Sequence, residues 1–448
     1  MLRLLAALIA FTGLAASAQA PGTTVLRGGT IHTLDAKNPR ADALVIENGR
    51  IAYVGDDAGT RKYEKQGVRV IELAGRTVMP GFHDAHVHPM SLRAAGIDIP
   101  KGSPPREADY REALRRTTRM ANAAGITSIF DAAATEAILE AYRAADRAGE
   151  LTVRVVAAQR VDPRLGLAQI EDLVARRERV QGRRLRAGAA KIFLDGEVSE
   201  HTGALLAPYA DKGDTRGELY VQPAALNALV RGLDAKGFDV VMHVMGDGAV
   251  RAGLDAFEDA IRNNAARDRR HQLMHLALVD PADIARFGRL GIGANFQPDW
   301  FRADDPAMAP TQAALGPERS RHIHPMAGIL AAGGRLTAGS DWPSTPLSTL
   351  GQMQVAVTRQ PLDGSAPPVQ PEERVSLAAI VSAFTKDAAW AAREDTIDGT
   401  IAVGKAADLV VLDRDIFAVP IGELHKVRVL LTLLDGEPVY RDPQLAWP

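Results

Sequence analysis

From residue 78 to residue 389, short apolar runs alternate with amphipathic stretches. The apolar runs fall at 78–88, 127–130, 152–158, 189–194, 239–245, 271–276, 291–296 and 335–339. Stretches with a period near 3.6 follow most of them, at 107–124, 135–148, 167–180, 223–236, 249–264, 281–290, 325–332 and 377–389. Such a pattern predicts strands buried on both faces, with helices packed over them. Eight β/α units are the number that closes a (β/α)8 TIM barrel, so the fold class predicted is α/β. An open doubly wound sheet is the weaker alternative, because no glycine-rich nucleotide fingerprint follows the first strand.

The two ends of the chain read differently. Residues 43–47 and 50–54 are short strands flanking Asn48-Gly49, a strong type I′ hairpin signal. Residues 68–73, 408–412 and 427–433 are further strands, and Asp435-Gly436 turns into 438–440. Neither end is large enough to stand alone, so the two are expected to form one small β-sandwich domain. The predicted division is a leader at 1–20, a small β domain at 21–78 and 395–448, and the barrel at 79–394. Four connections are long, at 89–106, 198–222, 297–322 and 360–376. Three of them follow barrel strands and are natural lids over the catalytic face.

Composition narrows the function. The 448 residues carry 53 Lys+Arg against 55 Asp+Glu, a net charge of −2, with no basic run to form a nucleic-acid footprint. Arg3, the apolar stretch 4–16 and Ala18-Gln19-Ala20 have the form of a cleavable secretory leader, with the mature chain starting near Pro21. That run is too short to span a bilayer and no second one follows, so a periplasmic or secreted protein without a retained membrane span is expected. Cysteine is absent. Any metal centre must therefore use His, Asp, Glu or a modified Lys.

The candidate chemistry lies at the strand ends. His86 and His88, in Asp84-Ala85-His86-Val87-His88, are two residues apart on a strand and share a face. Lys191 sits in an apolar strand, where an ammonium is costly unless paired, neutral or modified. His243 and His275 end the fifth and sixth strands, and Asp341 follows the eighth. One such residue has an ordinary structural explanation. Five strands delivering metal-compatible side chains to the catalytic face do not.

The chain resembles the metal-dependent amidohydrolase superfamily, within it the amidohydrolase-3 or YtcJ-like branch. The matching stretches include Pro80-Gly81-Phe82-His83-Asp84-Ala85-His86-Val87-His88, Lys191-Ile192-Phe193-Leu194-Asp195-Gly196, His243-Val244-Met245-Gly246-Asp247, Gly339-Ser340-Asp341-Trp342-Pro343 and Gly404-Lys405-Ala406-Ala407-Asp408-Leu409-Val410-Val411-Leu412. The resemblance implies a divalent metal, zinc by its ligand chemistry, as one or two ions at His86, His88, His243 and His275, with Asp341 completing the site. It also implies that Lys191 is carboxylated and bridges the metals. Met274 stands where the family carries Glu, and only 89–125 separates the first two strands where the family has a long insertion.

The activity expected is hydrolysis of a carbon–nitrogen bond in a small non-peptide amide. Water activated on the metal would attack, with Asp341 as general base. His243 or His275 would polarise the carbonyl if a single ion is present. An ester, lactone or cyclic-amide hydrolase is the second reading, and a metal-holding protein without turnover the third. Asp247 reads as a helix N-cap, Asp195 as a turn residue, and His83 and His271 as structural. His201, His322 and His324 read as solvated loop histidines, with His201 the best of the three for substrate contact. Trp300, Phe301 and Trp342 are candidates for an apolar pocket wall. No Gly-x-Ser-x-Gly elbow supports a serine hydrolase.

Overall fold

The structure is a computed structural model and describes residues 22–65, 67–443 and 445. The expected leader lies outside the described residues. Eight parallel strands form the central sheet in chain order: Phe82–Val87, Ile126–Ala134, Arg154–Arg160, Leu185–Phe193, Asp239–Val244, Gln272–His275, Gly293–Phe296 and Arg335–Ala338. The Asp341 amide donates to the His86 carbonyl (2.7 Å) and the His88 amide to the Trp342 carbonyl (2.9 Å), which draws the eighth strand back to the first. The fold is a TIM barrel, as the alternation of apolar runs requires.

Helices follow where local chemistry allows them to start. Pro223–Ala235 and Pro281–Leu290 each begin on proline, whose fixed φ suits the first turn. Asp280 caps the second by accepting from the Ala282 amide (2.9 Å). The strand faces separate into two apolar layers. Ile129, Val155, Ala157, Ile192, Val240, Met242 and Leu273 pack outward against the helices. Phe130, Val156, Ala158, Ala189, Val241 and Met274 form a separate plug inside the barrel.

Both chain ends build the small domain. One sheet, Arg50–Gly55, Ala43–Glu47, Thr24–Arg27 and Arg69–Glu72, is wholly N-terminal. The other joins Glu437–Arg441, Val429–Leu434 and Leu409–Leu412 from the C-terminal end to Thr77–Pro80, Thr30–His32 and Arg40–Ala41. Asn48 and Gly49 both have positive φ (51° and 77°), the geometry a type I′ turn demands.

Several expectations on element bounds need correction. The single run 78–88 is two strands, because Thr77–Pro80 pairs with Leu409–Leu412 of the small domain before the chain enters the barrel. The helix expected at 377–389 is two, Leu377–Ala383 and Lys386–Ala391, broken at Thr385 with φ −136° and ψ −101°. Besides the one-turn helix Asp57–Thr60, two longer helices escaped the periodicity reading, Met308–Arg319 and Thr349–Thr358. The first lies in the long connection after the seventh strand and packs on the connection after the fourth, through Leu205, Tyr209, Ala314 and Leu315. The Ala210 amide also donates to the Ala314 carbonyl (2.8 Å). These two connections together cover one side of the barrel mouth.

Candidate active site

Every predicted site residue reaches the C-terminal mouth and lines one cavity of about 500 Å³. The sequence accounts for the convergence: each residue sits at or just beyond the end of a barrel strand, and a closed barrel brings its strand ends around one axis. Asp341 Oδ1 lies 3.3 Å from His86 Nε2 and 3.2 Å from His88 Nε2. The His86 and His275 rings are 4.6 Å apart, and those of His243 and His275 4.5 Å. Lys191, 1% exposed, directs Nζ to 3.3 Å from Met274 Sδ and 5.0 Å from the Phe193 ring centre.

Burial sets the charge states. It pushes His86 down to about 4 and His243 to about 3, and holds His275 well below the imidazole range. All three are therefore neutral at pH 7, the form that offers a lone pair to a cation. Burial lowers the Lys191 amine to about 7. Burial would raise Asp341, but the adjoining His86 and His88 outweigh it and keep the carboxyl ionised.

His275 is oriented by a buried chain. The Gln297 side-chain amide nitrogen donates to Asn295 Oδ1 (2.8 Å), so Gln297 Oε1 faces His275 Nδ1 at 2.9 Å and accepts from it. Nδ1 is therefore the protonated nitrogen and Nε2 keeps its lone pair. Asn295 is held in turn by the Ala85 carbonyl (3.0 Å). Asp84 accepts from the Ser340 amide (2.9 Å), the Ser340 hydroxyl and the His86 amide (3.2 Å), locking the first and eighth strand ends together.

The donor set fits a divalent cation. His243 Nε2 is buried with no hydrogen-bond partner, a costly arrangement for a site meant to stay empty. The separations of about 3.2 Å from Asp341 Oδ1 to two imidazole nitrogens match ligands about 2.0–2.2 Å from one zinc-like ion. The backbone is strained there too: His275, Leu276 and Asp341 have φ of 82°, 52° and 53°. Non-glycine residues adopt this region at a cost that the surrounding structure must bear.

Several single-residue expectations change. His324 is buried, lines the cavity and places Nδ1 3.3 Å from the His275 carbonyl oxygen, so it is not a solvated loop histidine. His201 pairs with Asp211 (2.9 Å) and does not line the cavity, which makes it the weakest of the three for substrate contact. Asp247 is the first residue of its helix, not the cap, and accepts from the Leu206 amide (2.9 Å). Asp195 does more than turn the chain. It accepts from the Ala204, Met245 and Gly246 amides (2.9, 3.0 and 2.8 Å) and pins the connection after the fourth strand to the end of the fifth. Trp300 lines the cavity and stacks on His275 at 5.4 Å, whereas Phe301 and Trp342 pack behind it.

Glu197 and Gln297 were missed. Glu197 lines the cavity 3.9 Å from His243 Nε2, and burial pushes its carboxyl up to about 7. The polar spacing Asn295-x-Gln297 at the end of an apolar strand was the available signal for Gln297. Glu197 carried none, because only the folded connection turns it inward.

The chain is similar to known hydrolases. It is 24% identical to N-substituted formamide deformylase of Arthrobacter pascens, over 91% of this chain and 96% of that protein. It is 30% identical to the putative amidohydrolase YtcJ of Bacillus subtilis, over 59% of this chain and 49% of that protein. A crystal structure of an uncharacterized metal-dependent hydrolase from Pyrococcus furiosus superposes with a TM-score of 0.74 at 22% identity, covering 88% of this chain and 99% of that one. The model of the Amidohydrolase family matches residues 92–440. With the barrel, the strand-end histidines and that match in agreement, the chain belongs to the amidohydrolase family.

Proposed function

We propose that this protein hydrolyses a carbon–nitrogen bond of a small non-peptide amide, with an N-formyl or N-acyl amine as the substrate class. One observation carries the reading: side chains from five barrel strands meet at a single cavity, with the Asp341 carboxylate in hydrogen-bond reach of two imidazoles. His86, His88, His243, His275 and Asp341, with Lys191 beside them, would hold one or two divalent ions, zinc by the ligand chemistry. Such an ion, when bound, supplies Lewis acidity and lowers the pKa of water from about 16 to about 7.

The chain's own groups do the rest. Asp341 is ionised and faces the cavity, so it takes the proton of the attacking water and returns it to the nitrogen as the carbon–nitrogen bond breaks. With a single ion held by the other ligands, His243 Nε2, which has no protein partner, would be free to orient the carbonyl instead. Trp300, Phe193, Met245 and Met308 give the N-substituent an apolar wall. Lys191, lowered to about 7 by burial, offers the free amine that combines with carbon dioxide to a carbamate, the amine proton leaving as the N–C bond forms. The similarity to a formamide deformylase supports N-formyl amines as first probes. The leader read at residues 1–20 supports a periplasmic or secreted location.

The test is a matched panel of N-formyl and N-acyl amines, esters and lactones, given to protein with and without added zinc. Amide turnover that chelation abolishes is the expected result. Turnover confined to esters or lactones moves the assignment to those substrates. Tight metal binding with no turnover on any member contradicts an enzyme.

A further inference from the structure

The proposed reaction makes no use of a second buried group of ligand-type side chains, at the opposite end of the barrel. His83, Glu394 and Asp398 are 2%, 2% and 3% exposed, and one possible ligand atom from each lies within 4.8 Å of the others. His83 pairs in register with Ser128, below the interior plug that holds Phe130 and Met274. The plug separates this floor from the mouth.

Two features of the floor are unusual. His83 Nε2 is 3.2 Å from Asp398 Oδ1, yet the two make no hydrogen bond, and both Asp398 oxygens are without a hydrogen-bond partner. Buried polar atoms are nearly always satisfied, so three orphans in one place call for a missing partner. The charges are also unmatched. Arg154 is committed to Asp408 (2.6 Å) and Asp435, and Arg184 to Asp435 (2.7 Å). Arg154 Nε comes only within 3.6 Å of Asp398 Oδ2. Lys405 Nζ is spent on the Asp395 and Asp398 main-chain carbonyls (2.7 Å each). Ser128 donates to Glu394 Oε2 (2.7 Å), and His83 Nδ1 stands 3.9 Å from the same oxygen. Burial and the neighbouring Asp398 push the Glu394 carboxyl up to about 7, so two carboxyl groups are held against one imidazole at a cost that a further positive charge would relieve.

We propose that this floor binds a divalent cation through His83 Nε2, Asp398 and Glu394. An oxygen and a nitrogen 3.2 Å apart with no hydrogen bond between them have the spacing of two ligands about 2.0–2.2 Å from one ion. One imidazole and two carboxylates are the N/O set that zinc and manganese accept. The two carboxylates neutralise the ion, and Asp408–Arg154 and Asp435–Arg184 are left balanced. The role is structural: the ion ties the start of the first barrel strand to the segment that leads into the C-terminal strands of the small domain.

Metal content tests this without any turnover assay, so the result is separable from the proposed hydrolysis. Protein stripped of metal is reconstituted with Zn²⁺, dialysed, and its zinc per chain measured by mass spectrometry. A His86→Ala/His88→Ala/His243→Ala/His275→Ala variant, which removes the mouth imidazoles, should keep about one zinc, and adding Asp398→Asn should remove it. A chelator should lower Tm of the four-histidine variant and leave the variant that also carries Asp398→Asn unmoved. Equal zinc in both variants, with no chelator effect on Tm, would overturn the site and make His83 a buried imidazolium paired with Asp398. Should Asp398→Asn fail to fold, zinc-soaked crystals of the unaltered protein decide: an anomalous peak between His83 and Asp398 supports the site, and none there refutes it.

Discussion

The mouth and the floor of this barrel bury similar numbers of ionisable side chains and treat them in opposite ways. At the floor, guanidinium meets carboxylate in matched geometry: Arg154 grips Asp408, and Arg184 with Arg183 closes on Asp435 (2.7 and 3.0 Å). At the mouth the His86 and His243 rings each lie within 5 Å of the His275 ring, no arginine is among the described residues lining the cavity, and two ring nitrogens have no partner. Groups chosen for stability satisfy one another. Groups held ready for a ligand are kept apart and unsatisfied, and the surrounding packing bears the expense. The triad of His83, Glu394 and Asp398 breaks the pattern at the floor, which is why it stands out.

Removing one group from each region should separate the two roles. The largest effect is expected at the mouth. Asp341→Asn should lower kcat/KM by about 10²–10⁴, the range for loss of a general base, with Tm close to that of the unaltered protein. A variant that keeps its rate removes Asp341 from the proton path.

Arg154→Met should do the reverse. It strands buried Asp408, a change that costs about 3–5 kcal/mol in stability, while the rate per folded molecule stays near the original. Chemical denaturation and active-site titration measure the two sides. A stable variant would show that the floor pairs are ornamental to the fold.

A smaller effect probes the support behind the mouth. Gln297→Leu leaves every proposed ligand in place but frees His275 to take the other tautomer. Metal affinity should fall by about 10–100-fold, as for other partners of a metal-binding imidazole, and competition with a chromogenic chelator reads it. Unchanged affinity would mean that His275 is fixed by packing on Trp300 alone.

The smallest effect is in the pH dependence of stability. Burial acts to raise Asp435, but Arg154 and Arg184 outweigh it and hold the carboxyl at about 2. A carboxylate depressed in the folded state contributes stability that is complete above its unfolded value near 4, and is lost as the pH falls through about 2. Asp435→Asn should therefore flatten the acid limb of the Tm profile between about pH 4 and pH 2 and leave its slope at neutral pH unchanged. An unaltered acid limb would argue against the pairing.

Much of the mouth was legible because strand periodicity and closure together dictate it. His86-x-His88 share a face by a period of two, and any closed barrel carries the ends of strands bearing His243 and His275 to the same axis. The rest depends on contacts that no local pattern encodes. His324 reads as loop, and only the turn after Met308–Arg319 buries it against His275. Glu197 lies in a connection whose path is set by Asp195 binding three distant amides. The run at 78–88 reads as one strand because its apolar pattern is continuous, and only the pairing with Leu409–Leu412 reveals the boundary. At the floor, His83 and Asp398 are more than three hundred residues apart, so nothing in the pattern of either stretch announces the other.

The most direct measurement is an anomalous difference map from crystals of the zinc-loaded protein, collected across the zinc edge. A strong peak within ligand distance of His86, His88 and Asp341, facing His243 and His275, is the predicted result. Zinc-loaded crystals with no peak at the mouth would contradict the claim that these five strand ends form a metal centre.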